Sequence, residues 1–324
     1  MAEHNILLTG GAGFIGSHIA DALVALPEVK KVRILDNLAT GNLANIDHLL
    51  KNEKVEWMEG DIRDHATCLK ACEDMTGITH QAALGSVPRS IKDPLTSNAV
   101  NVNGTLNIFQ AAVEQNIKRV VYAASSSTYG DSKALPKVED RIGKPLSPYA
   151  VTKYVNELYA GVYASMYGLE LVGLRYFNVY GPRQNPRGPY AAVIPLFLGA
   201  MLNSDTPTIN GDGTQSRDFT YVANAVQANL KGLFTENSEA LGQVYNVACG
   251  EQTSLNELFD RLKELTGNAD MRPNYGPPRA GDVKHSLADI SKAKNLMSYQ
   301  PEILIKEGLG QTVEWFAANH HIFE

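Results

Sequence analysis

Short apolar runs alternate with longer stretches in which apolar positions recur every three or four residues, and this rhythm holds through the first half of the chain. Asn5–Leu8, Val32–Leu35, Lys54–Met58, Gly77–His80, Arg119–Ala123 and Glu170–Arg175 read as strands, and Phe14–Leu26 as a helix. Pro94–Gln115, where Val100, Leu106, Ile108 and Ala112 supply the apolar positions, reads as a long amphipathic helix. It is entered through Asp93-Pro94, a cap followed by a first-turn proline. A further helix, Tyr149–Tyr167, stops at Gly168, the residue type best suited to a C-terminal left-handed cap. Regular strand–helix alternation predicts an α/β fold: a doubly wound parallel sheet of the Rossmann type with right-handed crossovers.

The texture changes after Asn178. Gly181–Tyr190 and Pro273–Asp282 are loops rich in Pro, Gly and Arg. Short strands (Thr208–Asn210, Arg217–Thr220, Val244–Val247) mix with helices (Ala191–Leu202, Val222–Phe234, Leu255–Thr266, Ile305–Ala318). We therefore expect a dinucleotide-binding domain over 1–178 and a smaller α/β substrate lobe over 179–324, with part of 217–247 returning to the first domain.

Thr9-Gly10-Gly11-Ala12-Gly13-Phe14-Ile15-Gly16 follows the first strand and opens the first helix. Gly10, Gly13 and Gly16 give a GxxGxxG spacing. Glycine there allows a tight turn, lets a pyrophosphate approach the backbone, and brings helix and strand close. The helix N-terminus then presents oriented N–H groups to the anion. Asp36, at the end of the second strand, can accept both hydroxyls of an adenosine ribose and would repel a 2′-phosphate, so NAD is expected over NADP. Arg33 lies on the same strand, where alternation allows it to point elsewhere. Asp61-Ile62 is placed to contact adenine, with a helix cap as the alternative for Asp61, and Gln81-Ala82-Ala83 leaves room near a nicotinamide. Asn37 beside Asp36, Asn101 and Tyr176 complete the candidate cofactor set together with Phe14 and Ile15.

Ser125-Ser126-Ser127-Thr128-Tyr129-Gly130 is followed by Tyr149-Ala150-Val151-Thr152-Lys153. Tyr149 and Lys153, at i and i+4, share a helix face, so the ammonium can sit beside the phenol and favour its ionised form. Such a phenol can take a proton from an alcohol while hydride leaves the same carbon, with a serine hydroxyl orienting the alcohol.

Composition narrows the classes. The 324-residue chain is 44% hydrophobic and 20% charged with a formal net charge of −6, so no basic field exists for a nucleic acid backbone. No apolar run approaches the roughly 20 residues of a membrane span. Ile6-Leu7-Leu8 is too short for a signal peptide, and a cytoplasmic location is expected. Three cysteines (Cys68, Cys72, Cys249) and eight histidines show no metal-ligand grouping, so free thiols and no metal are expected.

Taken together, these motifs resemble the extended short-chain dehydrogenase/reductase superfamily over essentially the whole chain. More narrowly, the chain is similar to nucleotide-sugar 4-epimerases and most like the UDP-N-acetylglucosamine 4-epimerases. The resemblance rests on Thr9–Gly16, Ser125–Gly130, Ser147–Lys153, Leu174–Asn178, Asn210–Asp218 and Arg279–Asp282. It implies that Tyr149 is the acid/base and that Lys153 lowers its pKa while binding nicotinamide ribose. Ser125 is the proton-relay serine, with Ser126 and Ser127 as neighbours able to substitute or to bind sugar. It implies too that Asn178, Ala192, Val193, Asn210, Arg217, Arg279 and Asp282 hold the UDP-sugar, and that two copies pair through the helices near 94–115 and 149–167. Gly85-Ser86-Val87-Pro88-Arg89 looks like the loop of N-acetylhexosamine epimerases, which makes Ser86 a sugar ligand or else a turn serine.

Two departures bear on the chemistry. Related 4,6-dehydratases carry Asp-Glu where this chain has Ser126-Ser127, and related decarboxylases commonly place a glutamate in the same stretch. Dehydration and decarboxylation are therefore disfavoured, with these and keto-reduction kept as the alternative enzyme readings; a non-enzymatic dinucleotide sensor would be expected to lack Tyr149 or Lys153. Second, the position matching the family's bulky tyrosine gate is Ser286. A small residue there opens room for an acetamido group at C2 without excluding a plain hexose or a hexuronic acid.

Overall fold

Seven strands lie parallel in one sheet, in the spatial order β7-β6-β5-β4-β1-β2-β3. They are β1 (His4–Thr9), β2 (Val29–Asp36), β3 (Val55–Glu59), β4 (Gly77–His80), β5 (Arg119–Ser125), β6 (Glu170–Tyr176) and β7 (Gln243–Val247). The computed structural model describes residues 3–186, 191–278 and 284–319. Both faces of the sheet are covered, which is why its strands read as apolar runs. Alternation sends Ile6 and Leu8 to a core shared with helices Phe14–Ala25 and Val222–Phe234, and Leu7 to a core shared with helices His65–Cys72 and Gly104–Glu114. Cys68 and Cys72 are buried free thiols in the second core.

Strand order reverses at β1, which is flanked by β2 and β4. A crevice at the carboxyl ends of strands on either side of such a reversal is where open α/β sheets bind ligands. The register brings Thr9 opposite both Leu35 and His80, and Ser125 opposite Tyr176. β7 adds to the sheet edge beside β6, with Tyr176 opposite Val247, so this late segment shares the sheet with the first half of the chain.

A third core gathers Phe197, Leu198, Leu258, Phe259, Leu309 and Phe316 from helices Val193–Leu202, Leu255–Leu265 and Ile305–Ala318, joined by Phe219. Three short strand pairs accompany it: Thr208–Asn210 with Asn274–Gly276, Ser216–Arg217 with Thr253–Ser254, and Val179–Tyr180 with Thr220–Tyr221. The single strand expected over Arg217–Thr220 is instead broken into Ser216–Arg217 and Thr220–Tyr221. The break turns Asp218 inward, where its carboxylate accepts the backbone N–H groups of Cys249, Gly250 and Ala288. The helix expected over Pro94–Gln115 is also interrupted. Pro94–Asn98 and Gly104–Glu114 are α-helical, and Ala99–Asn103 is a π-helical turn, a feature frequent at functional sites.

Helix Pro148–Tyr167 is fixed at both ends and in the middle. Ser147 accepts the Ala150 N–H at 3.1 Å, Pro148 occupies the first turn, and Gly168 closes the helix in the left-handed region at φ 69°. Midway, Glu157 meets Arg175 of β6 in a two-pronged ion pair (2.9 and 2.7 Å) with both side chains buried; Arg175 also donates to the Glu139 carbonyl. Glu157→Gln leaves a buried guanidinium unpaired. We expect it to cost about 3–5 kcal/mol of stability by denaturant titration; a loss below about 1 kcal/mol would show that the pair does not clamp helix to sheet.

Candidate active site

The glycine loop between β1 and helix Phe14–Ala25 is packed beyond what any side chain tolerates. Gly10 adopts φ +71°, and a Cβ on it would stand 2.6 Å from the Ala82 nitrogen. A Cβ on Gly16 would stand 2.1 Å from the Gly10 carbonyl oxygen. Gly13 is the N-cap residue of the helix and offers no side-chain cap, so the first N–H groups remain for an anion. Opposite lies Asp36, buried at the end of β2. Its two oxygens take the N–H groups of Ala12 (3.0 Å) and Leu38 (2.8 Å), which orients the carboxylate, while burial pushes its pKa up. Arg33 does point elsewhere: it reaches Glu56 (3.0 Å) and three backbone carbonyls on the far side of β2.

One cleft collects most of the residues expected at a dinucleotide. Gly10, Gly13, Phe14, Ile15, Gly16, Asp36, Asn37, Asp61, Ile62, Gln81, Ala82 and Ala83 line it together with Tyr149, Lys153 and Tyr176. Asp61 is not a helix cap, since Asp64 caps helix His65–Cys72. Instead it pairs with Arg63 at 2.6 Å and accepts from Asn37 at 3.0 Å, and the Arg63 contact holds its carboxyl down at about 2. Asn101 departs from expectation. It is fully buried, off the cleft wall, and its side chain is spent on the Leu84 backbone and Thr152. Its place in the π-helical turn aims it at the 81–85 loop, so it shapes the cleft from behind.

Beneath the cleft lies a hydrogen-bonded set drawn from β1, β4, β6, the loop after β4, the π-helical turn, and helices Gly104–Glu114 and Val222–Phe234. The Tyr176 hydroxyl donates to Gln81 Oε1 (2.9 Å) and accepts from Asn229 Nδ2 (2.7 Å). Thr9 Oγ1 accepts the Ala82 N–H and donates to His80 Nδ1 at 2.7 Å. Thr105 Oγ1 donates to the Asn101 carbonyl, so it must accept from His80 Nε2 (3.0 Å), which fixes the neutral tautomer. Burial depresses His80 to about 3, against 6.5 when exposed. The unfolded chain therefore takes a proton that the folded one refuses, and stability present above about pH 6.5 is lost as pH falls toward 3. Asp218, raised to about 6 by burial, acts in the opposite sense as pH falls from 6 to 4. Comparison of urea midpoints at pH 7 and pH 5 should thus show a smaller acid-induced drop in His80→Gln than in the wild type; equal drops would mean that His80 does not titrate this way.

Tyr149 sits in the first turn of its helix, its backbone N–H donating to Ser90 Oγ at 3.0 Å. Burial raises the phenol's pKa, opposed by a hydrogen bond with Ser125. Ser125 Oγ in turn accepts from the N–H (3.2 Å) and the hydroxyl (2.9 Å) of Ser127. Lys153, one turn on, is buried and lowered to about 8; its Nζ donates to the Ala123 carbonyl at 2.8 Å. The contact with Ser125 opposes the effect of burial on the phenol, while the Lys153 ammonium is anchored on the β5 backbone.

A second cavity adjoins the cleft, lined by Ser125, Ser126, Ser127, Lys137, Asn178, Arg217, Ser286 and the apolar Val87, Pro88, Ile91 and Leu146. A third, about 520 Å³ and within the usual range for small-molecule sites, holds Ala192, Val193 and Asn210. Asn178 and Arg217 line both. Asn178 has φ +37°, a conformation uncommon outside glycine, and its side chain donates to the Asp218 carbonyl at 3.0 Å. Ser86 lines none of the three; its hydroxyl caps helix Val87–Lys92 by accepting from Arg89 N, in keeping with the turn-serine alternative. Arg279 and Asp282 lie outside the described residues.

Sequence reasoning gave no role to Asp218, Asn229 or Lys137. An acid inside Arg217-Asp218-Phe219-Thr220-Tyr221 is an interruption of an otherwise strand-like run and could have been noticed. Asn229 and Lys137 carry no such signal.

A glycine loop at a helix N-terminus, a buried carboxylate at the end of β2, and a Ser–Tyr–Lys group where this cleft meets a polar cavity are the features of an NAD-dependent enzyme. The chain belongs to the NAD dependent epimerase/dehydratase family, whose model matches residues 6–248. It is 42% identical over 317 residues to a putative UDP-glucose 4-epimerase of Methanocaldococcus jannaschii, covering 97% of this chain and 99% of that one. The UDP-N-acetylglucosamine 4-epimerase of Methanobrevibacter ruminantium, solved in complex with UDP-N-acetylmuramic acid, superposes with a TM-score of 0.92 at 41% identity, over 98% of this chain and 100% of that one. A UDP-glucose 4-epimerase of Thermus thermophilus solved with NAD gives a TM-score of 0.85 at 35% identity, over 96% and 98% of the two chains.

Proposed function

We propose that this enzyme interconverts the C4 epimers of a UDP-N-acetylhexosamine, UDP-GlcNAc and UDP-GalNAc, through a transient 4-keto sugar. One observation carries the reading: Ser125, on the wall of the polar cavity, lies close enough to Tyr149, on the wall of the dinucleotide cleft, to influence its phenol. That contact is the route by which a proton at the sugar's C4 hydroxyl reaches the phenol. NAD, when bound in the cleft that Tyr149 lines, would supply a hydride acceptor.

Tyr149 Oη then removes the C4 hydroxyl proton directly or through Ser125 Oγ, and returns it to the same oxygen once the sugar has turned. Inversion requires the hexose to turn while the nucleotide stays fixed. Arg217 and Asn178, shared by the two outer cavities, fit the junction between diphosphate and hexose, and arginine suits a diphosphate through charge-assisted contacts. The hexose cavity has small polar walls at Ser126, Ser127 and Ser286, which leave a sugar free to turn. Among the described residues it holds no carboxylate, so it offers no acid for dehydration or decarboxylation.

Incubation with UDP-GlcNAc should yield UDP-GalNAc without net NADH or CO2. Turnover of UDP-glucose alone would overturn the N-acetyl assignment and with it the reading of Ser286 as an open gate.

The protein is further proposed to work as a homodimer. Helix Pro148–Tyr167 exposes Val151, Leu158, Tyr159, Val162 and Met166, and Leu95 stands exposed on the neighbouring helix Pro94–Asn98. An apolar stripe of this kind favours a partner surface. Sedimentation should give twice the monomer mass; a monomer at micromolar concentration would contradict the pairing.

A further inference from the structure

The hexose cavity contains a cation that the reaction does not use. Lys137 is only 4% exposed yet lines the cavity beside Ser125, Asn178 and Ser286. Its ammonium donates to the Ser132 carbonyl, and among the described residues no carboxylate pairs with it. Burial accordingly pulls its pKa down. An ammonium has three donors, and a buried charge without a counter-ion is costly unless a ligand supplies one. The other cation of this cavity, Arg217, is shared with the neighbouring cavity and fits the diphosphate. Lys137 alone therefore marks the sugar end as positive.

The backbone fixes which wall it occupies. Lys137 N donates to the Leu287 carbonyl at 2.7 Å, Asp289 N donates to the Lys137 carbonyl at 2.9 Å, and Lys137 bridges Ala288, two residues from Ser286. The lysine and the small gate thus share one wall. Turning a hexose about its C1–C4 axis exchanges the C2 side with the C5–C6 side. A wall that borders the C2–C3 edge in one orientation borders the O5–C5 edge, which carries C6, in the other.

We propose that Lys137 is a specificity-determining residue that binds a carboxylate at C6, so that the substrate class of this site extends to UDP-N-acetylhexosaminuronic acids. The assignment rests on the epimerase reading above. Lys137 meets the C6 carboxylate in one of the two sugar orientations, and proton transfer remains with Tyr149 and Ser125.

The test compares kcat/KM for UDP-N-acetylglucosaminuronic acid and for UDP-GlcNAc in the wild type, Lys137→Met and Lys137→Arg. The wild type should epimerise the uronate. Lys137→Met should lower the uronate-to-neutral ratio of kcat/KM about tenfold or more, the worth of one charge-assisted contact. Lys137→Arg, which keeps the charge, should restore most of that ratio. A purely structural lysine would lower both substrates together; an unchanged ratio in Lys137→Met, or a wild type that turns over only the neutral sugar, overturns the proposal while leaving the epimerase reading intact. A wild type inert toward both sugars overturns the epimerase reading itself.

Discussion

Tyr149→Phe is expected to lower turnover of the UDP-sugar by about 10²–10⁴-fold, the usual worth of a positioned acid–base group. The variant keeps the ring that lines the dinucleotide cleft and removes only the hydroxyl that meets Ser125. Its cofactor content, read by absorbance after denaturation, should match that of the wild type. Ser125→Ala should fall less far, because the phenol can still reach a sugar hydroxyl directly. Turnover of Tyr149→Phe within about tenfold of the wild type would assign the proton transfer to another group.

Gly16→Ala is expected to be as damaging by a different route. The added methyl would lie 2.1 Å from the Gly10 carbonyl oxygen and 2.9 Å from the Gly11 Cα, both backbone atoms that cannot swing aside. Helix Phe14–Ala25 must move off β1, at a cost of about 3 kcal/mol or more, and the N–H groups aimed at the pyrophosphate move with it. Loss of copurifying NAD and a lower Tm are the predicted results. Gly161→Ala, on an exposed helical face where a Cβ meets nothing within 4 Å, serves as the control and should be neutral or mildly stabilising. A Gly16→Ala protein with full cofactor and unchanged Tm would show that the cradle tolerates side chains.

Much of the architecture was legible because buried parallel strands and capped helices leave strong local marks. Asn5–Leu8 and Arg119–Ala123 each fell within the observed strand, and Gly168 does close its helix in the left-handed region. Features set by distant partners were not legible. The broken strand at Asp218 exists because backbone N–H groups from residues 249, 250 and 288 converge on one carboxylate. The role of Asn101 behind the cleft depends on a π-helical turn that no periodicity announces. At the candidate site, Gly10, Asp36 and Tyr149 stand out by spacing and chemistry, and Ser125 by resemblance. Lys137 does not, since a lysine in Leu135-Pro136-Lys137-Val138-Glu139 reads as solvated until the fold closes a cavity over it. The reach of Lys153 to the Ala123 carbonyl likewise depends on where β5 lies.

The most direct measurement is the fate of deuterium placed at C4 of UDP-GlcNAc. If hydrogen leaves and returns to one carbon as hydride, the UDP-GalNAc formed retains the label at C4, and reaction of unlabelled substrate in heavy water puts no deuterium on carbon. Washout of the label to solvent would contradict the account, because it would mean that a proton, and not a hydride, is exchanged at C4.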